Sequence, residues 1–66
     1  MPKRYTSGEL IELAKEYGWI QVRTNGDHHS FKHVDSRFLV TIVHPQKDVP
    51  VGRAIHTVKK IKLEIR

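Results

Sequence analysis

Five histidines occur in the 66 residues, and three of them crowd into one stretch, His28-His29-Ser30-Phe31-Lys32-His33. Histidine has an unperturbed pKa of about 6.5, so near neutrality it can take or give a proton, and in its neutral form it can ligate a metal. Which chemistry is open depends on where the rings point. If the stretch is a strand, successive side chains alternate between faces. Phe31 is the residue best suited to a core, so His29 and His33 share its side while His28, Ser30 and Lys32 face outward. An outward histidine beside a lysine, at the mouth of the glycine-containing turn Thr24-Asn25-Gly26-Asp27, is placed to meet a phosphate and the neighbouring ribose.

The rival use of these rings is a zinc site built from His28, His29, His33 and His44. Spacing opposes it: His28 and His29 point to opposite faces of a strand, and no cysteine or adjacent acidic pair completes a ligand set, so no metal or other cofactor is expected. His29 and His33 read as hydrogen-bonded packing, His44 as a loop residue and His56 as a helix-surface residue. No Gly-rich phosphate loop, Ser-His-Asp order or paired carboxylates stand out.

The elements that must hold these residues are legible in order. Thr6-Ser7-Gly8-Glu9 has the capping-box form, and Leu10, Leu13, Ala14 and Tyr17 recur at helical spacing with Ile11 widening the stripe. A helix is predicted over residues 7–17, ended by Gly18 in a left-handed conformation. Trp19 to Arg23 alternates as a half-buried strand does, with Ile20 and Val22 on one side and Trp19, Gln21 and Arg23 on the other. Asn25-Gly26, both tolerant of positive φ, signals a tight turn, so His28 to Val34 returns antiparallel. After Asp35-Ser36, the β-branched run Phe38 to Val43 reads as the central or best-buried strand. Pro45 closes it. Val51, Ala54, Ile55 and Val58 then predict a second helix over about residues 50–60, with Pro50 near its start. Ile61, Leu63 and Ile65 alternate with Lys60, Lys62 and Glu64, a pattern that also fits a short extra strand. The predicted fold is α+β, in the order α-β-β-β-α: a three-stranded antiparallel sheet with both helices on one face and the other face open.

Composition bounds what such a body can do. Residues 1–66 suffice for one domain and no more, with a thin core drawn from 38% apolar residues. Without cysteine, disulfides and thiolate metal sites are excluded, which suits the cytoplasm. Lys3 and Arg4 are followed by Thr6, Ser7 and Gly8 instead of an apolar run, so the amino end does not read as a signal peptide, and no membrane span is expected. Twelve Lys and Arg against seven Asp and Glu leave a net charge of +5, a field that favours polyanions. Lys32, Arg23 and Arg37, on or next to the open face, are the candidates to hold a phosphate backbone.

With these residues in place the chain resembles the HicA family of bacterial toxins, small messenger-RNA-cutting proteins of type II toxin-antitoxin pairs. The likeness spans nearly the whole chain. It rests on Gly18-Trp19, on the block Gly26-Asp27-His28-His29-Ser30-Phe31-Lys32-His33, on Val40-Thr41-Ile42-Val43-His44, and on Val49-Pro50-Val51-Gly52. The family shows Gly-Ser-His or Gly-Gly-His with an aromatic residue three places on, and Gly26, His28 and Phe31 occupy those places. Asp27 departs from the usual small residue and sets a negative charge beside the site. The carboxyl end departs too, continuing Ile61-Lys62-Leu63-Glu64-Ile65-Arg66 where the family has a short Ala-Gly-Leu stretch.

The resemblance implies a fold like the double-stranded-RNA-binding domain, His28 as the essential residue, Gly26 beside it at the RNA, mRNA as substrate, and a HicB-like antitoxin that covers the site. His28 would act as general acid or base in metal-independent endonucleolytic cleavage. Two other functions suit the same fold and charge: a non-catalytic RNA-binding module, and a protein-interaction domain whose basic face docks an acidic partner.

Overall fold

The computed structural model describes residues 4–64. Helix α1 (Ser7–Glu16) begins where the capping box places it: the Thr6 hydroxyl accepts the Glu9 N–H at 3.1 Å, and the Glu9 carboxylate accepts the Thr6 N–H at 2.9 Å. Tyr17 caps its carboxyl end, and Gly18 follows at φ 88°, the left-handed conformation that a helix stop requires. A Cβ built on Gly18 would also lie 3.3 Å from His33 Nε2. Gly18→Ala is therefore expected to cost about 1 kcal/mol or more, a fall of roughly 4–8 °C in Tm for a domain this small, readable by circular dichroism melting.

Strands β1 (Ile20–Asn25), β2 (His28–Lys32) and β3 (Val40–Val43) form one antiparallel sheet in the order β1-β2-β3. Helix α2 (Val51–Ile61) completes the α-β-β-β-α arrangement that the periodicity predicts. One face of the sheet carries Phe31, Val40 and Ile42, and these pack with Leu10 and Ala14 of α1 and Ala54 and Ile61 of α2 in a single core in which every member is 3% exposed or less. Trp19 and Val49 join it from the loops, and the Trp19 indole N–H donates to the Ile61 carbonyl at 2.9 Å, satisfying a buried end of α2.

Four features differ from the sequence reading. The central strand is β2, and the run expected to be the central or best-buried strand is shorter and lies at an edge: Val40 and Ile42 are buried, but Phe38 and Leu39 belong to the preceding loop and stay 54% and 45% exposed. Ile20 and Val22 alternate as a half-buried strand should, yet they are 68% and 53% exposed while Trp19 is buried, because both helices lie on the opposite face. The buried stripe of α2 runs through Ala54, Thr57 and Ile61, so Ile55 is turned out. Finally, residues 59–64 are the last helical turn and a reversal in which Leu63 takes φ 62°, not a strand. Three intrahelical and capping carbonyls, of Val58, Lys59 and Lys60, draw the amides of residues 62–64 back onto the helix end. Ile65 and Arg66 of that predicted strand lie outside the described residues.

Candidate functional site

The two-residue connection between β1 and β2 is Gly26-Asp27, with Gly26 at φ 62° and no other positive φ in the turn. A single positive φ at the first loop position is the requirement of a type II′ hairpin, which glycine alone meets without strain. The turn thus sits one residue later than an Asn-Gly turn would, and Asn25 remains in β1 opposite His28. This fixes the register of everything downstream.

Cross-strand pairing assigns the faces. Phe31 opposes Val40 and His29 opposes Ile42, all on the helix-covered side, whereas Ser30 opposes Thr41 and His28 opposes Val43 on the open side. The Ser30 and Thr41 hydroxyls, 3.4 Å apart, mark that second row. His28 accordingly projects from the uncovered face, its side chain 59% exposed, as the alternation through Phe31 requires. Its Nδ1 lies 3.2 Å from Asp27 Oδ1, itself 62% exposed. The contact joins two largely solvated groups, so it orients the ring loosely and leaves the imidazole open to the face. The negative charge of Asp27 is thereby engaged with the histidine.

A β-bulge between Gln21 and Arg23 breaks the alternation of β1, so Arg23 pairs with Ser30 on the open side instead of sharing a face with Trp19 and Gln21, and stands diagonal to His28 at about 7–8 Å. Lys32 lies four residues along β2 from His28 on the same face, about 13 Å away at a strand's rise. Neither cation has a carboxylate partner among the described residues. The sheet thus brings His28, Arg23 and Lys32 to one surface, with Gly26 at its end. Arg37 does not join them: it sits in the loop between β2 and β3, at the far end of β2 from the Gly26 turn.

The other histidines have structural employment. His33 accepts the Asp35 N–H at Nδ1 and donates from Nε2 to the Tyr17 carbonyl, both at 2.9 Å, tying the end of β2 to the end of α1. His29, half-buried, meets the Gln21 amide at 2.8 Å and packs edge-on against His44 with ring centroids 5.4 Å apart. His44 Nδ1 and the Ser7 hydroxyl share a hydrogen bond at 2.7 Å, and that hydroxyl oxygen accepts the Gln46 N–H at 2.8 Å. Ser7 is 2% exposed, so this Ser–His contact locks α1 to the loop after β3 and offers no nucleophile to solvent. His56 is exposed on α2. Among the described residues no three His, Asp or Glu side chains gather as metal ligands would.

Sequence reasoning missed two features. Ile20, Val22 and Val34 line a shallow apolar hollow on the sheet with Gly18 and Lys32. Arg53 of α2 lines a cleft that also reaches His28. Neither is signalled locally: Ile20 and Val22 look like core, and Arg53 is 25 positions from His28 in the chain.

Fold and site together define a small, basic α+β protein whose uncovered sheet face presents an exposed histidine, in contact with a carboxylate, beside cations that have no carboxylate partner among the described residues. Residues 7–64 match the model of the HicA toxin of bacterial toxin-antitoxin systems, and the chain belongs to that family. It is therefore a toxin-family protein, with an antitoxin as its implied partner. No curated protein matches the chain significantly. No helix among the described residues is long and apolar enough to cross a membrane.

Proposed function

We propose that the chain acts as one domain, in the cytoplasm, as a metal-independent endoribonuclease that cuts mRNA, with His28 as its general acid or base. The observation that carries this reading is the exposed imidazole of His28 on the same open face as Arg23 and Lys32, its Nδ1 engaged by Asp27. With the RNA backbone held by Arg23 and Lys32, Nε2 of His28 takes the proton from a ribose 2′-hydroxyl. The 2′-oxygen attacks the adjacent phosphorus, the bond to the 5′-oxygen breaks, and that oxygen leaves with a proton from the imidazolium or from water. The products are a 2′,3′-cyclic phosphate, or the monophosphate it hydrolyses to, and a 5′-hydroxyl. Positioning and proton transfer suffice for this route, which needs no cofactor.

A HicB-like antitoxin is the proposed partner, covering the same face. Its support is the hollow of Ile20, Val22 and Val34 beside Lys32: exposed apolar side chains next to a cation are what an acidic protein partner with an apolar strip would bury.

Incubation of the purified protein with RNA in excess EDTA tests the chemistry. Cleavage is expected to continue undiminished and to yield 5′-hydroxyl ends, seen as fragments that polynucleotide kinase labels without prior phosphatase. Loss of cleavage with EDTA and recovery with added divalent metal would contradict the proposed route. Salt-sensitive RNA binding with no fragments at all would favour the non-catalytic binding module.

A further inference from the structure

A cleft of about 200 Å³ runs along the free edge of β3, between that strand and α2. Its floor is apolar, made by Leu10, Ile42 and Val49, each 3% exposed or less. Its rim is polar: Thr41 on one side, Arg53 and Thr57 one helical turn apart on the other, and His28 at one end. Thr41 comes from the open face of the sheet and Ile42 from the covered face, so the cleft straddles the edge and meets the open face where His28 stands.

Several features show that this space is suited to a ligand. Thr57 is more than nine-tenths buried, lines the cleft, and has no side-chain hydrogen-bond partner among the described residues, although every buried side-chain polar atom that solvent cannot reach is satisfied. A hydroxyl in that position has the cleft itself as its outlet. Arg53 is exposed and has no carboxylate partner among the described residues, and the first turn of α2 carries no acidic residue. As an edge strand, β3 also offers unpaired backbone donors and acceptors along its outer side. An apolar floor with donors and acceptors at its margin and a cation on one wall matches a nucleobase and its phosphate.

We infer that this cleft is a subsite for one nucleotide of the RNA next to the cleaved bond: the base lies on Leu10, Ile42 and Val49, Thr57 and the edge of β3 read its polar groups, and Arg53 holds its phosphate. The inference rests on the proposed RNA reading. It adds that the strand leaves the open face past His28 and turns over the edge of β3, so that nucleotide preference is set in the cleft while Arg23 and Lys32 bind backbone of any sequence.

Amide chemical shifts recorded while a short single-stranded RNA is added to the His28→Ala protein test the inference. Shifts are expected at Ile42, Val49, Arg53 and Thr57 together with those at Arg23 and Lys32. Arg53→Gln, an exposed substitution that leaves the fold intact, should weaken binding several-fold at low salt and reduce the slope of log affinity against log salt by about 0.7, the value for one phosphate contact on a single strand. Thr57→Val should change the ranking among RNAs that differ in one base and leave the salt slope unchanged. Shifts confined to the open face, with Arg53→Gln binding as the parent does, would overturn the subsite and leave the ribonuclease reading standing. No RNA-induced shift anywhere would sink both. Cleft shifts appearing with an acidic antitoxin and not with RNA would assign the space to the protein partner instead.

Discussion

Replacing His28 with alanine is expected to reduce RNA cleavage by about 10²–10⁴-fold, the usual contribution of a positioned proton-transfer group, while leaving the Tm of the protein within a degree or two of the parent. The two halves of this result have separate physical causes. The imidazole is 59% exposed and its one ionic contact, to Asp27, is between two largely solvated groups, so its removal takes little from the folded state. Its removal takes everything from a mechanism that has one proton carrier. His28→Gln is the sharper variant, since it keeps a polar side chain of similar reach without a titratable nitrogen, and it should be as inactive as alanine. In contrast, His29→Ala and His33→Ala break contacts to Gln21, His44, Tyr17 and Asp35, so they should lower the Tm more than they lower the rate per folded molecule. The measurement is a single-turnover cleavage assay on each variant alongside its melting curve. A His28→Ala protein that cuts at the parental rate would remove His28 from the chemistry and leave the open face as a binding surface alone.

The parts of this arrangement that were legible in the sequence are those fixed by short-range geometry. The capping box needs only Thr6 and Glu9, three residues apart, and both of its hydrogen bonds form. The facing of His28 follows from Phe31 because an odd offset along a regular strand changes sides, and β2 runs without interruption against β3 from His28 to Phe31, unlike β1 with its bulge between Gln21 and Arg23. The features that were not legible are set by long-range partners. The run Phe38 to Val43 has the composition of a central strand, but whether a strand is central depends on what pairs with its second edge, and here only β2 pairs with it. Ile20 and Val22 carry a core-like alternation that says which residues share a face and nothing about which face the helices will cover. The alternation after Val58 is equally compatible with a helix end, and the closing bonds back to Val58, Lys59 and Lys60 decide it. Arg37 and Arg53 show the same limit: the cation nearer His28 in sequence lies in the loop at the far end of β2, and one from α2 lines a cleft that reaches His28.

Phe31→Ala should unfold much of the population at room temperature or lower the Tm by at least about 12 °C. The ring is wholly buried on the middle strand, in a core to which both helices contribute. Truncating a buried phenylalanine costs about 3–5 kcal/mol, against a total stability of about 3–10 kcal/mol for a chain of this length. Nothing else in the molecule can offset the loss, since there is no cysteine to form a disulfide. Phe31→Leu, which refills most of the volume, should cost about 1–1.5 kcal/mol and fold. Trp19 is the only tryptophan and is 3% exposed, so its fluorescence reports the outcome directly: red-shifted in Phe31→Ala, parental in Phe31→Leu. The comparison bears on the site because position 31 sets the register that turns His28 outward. Phe31→Leu should retain cleavage in proportion to its folded fraction, whereas His28→Ala should lose it while fully folded. If Phe31→Ala melts with the parent, the phenyl ring is not in the core, β2 is shifted by one residue, and His28 faces the helices instead of the RNA.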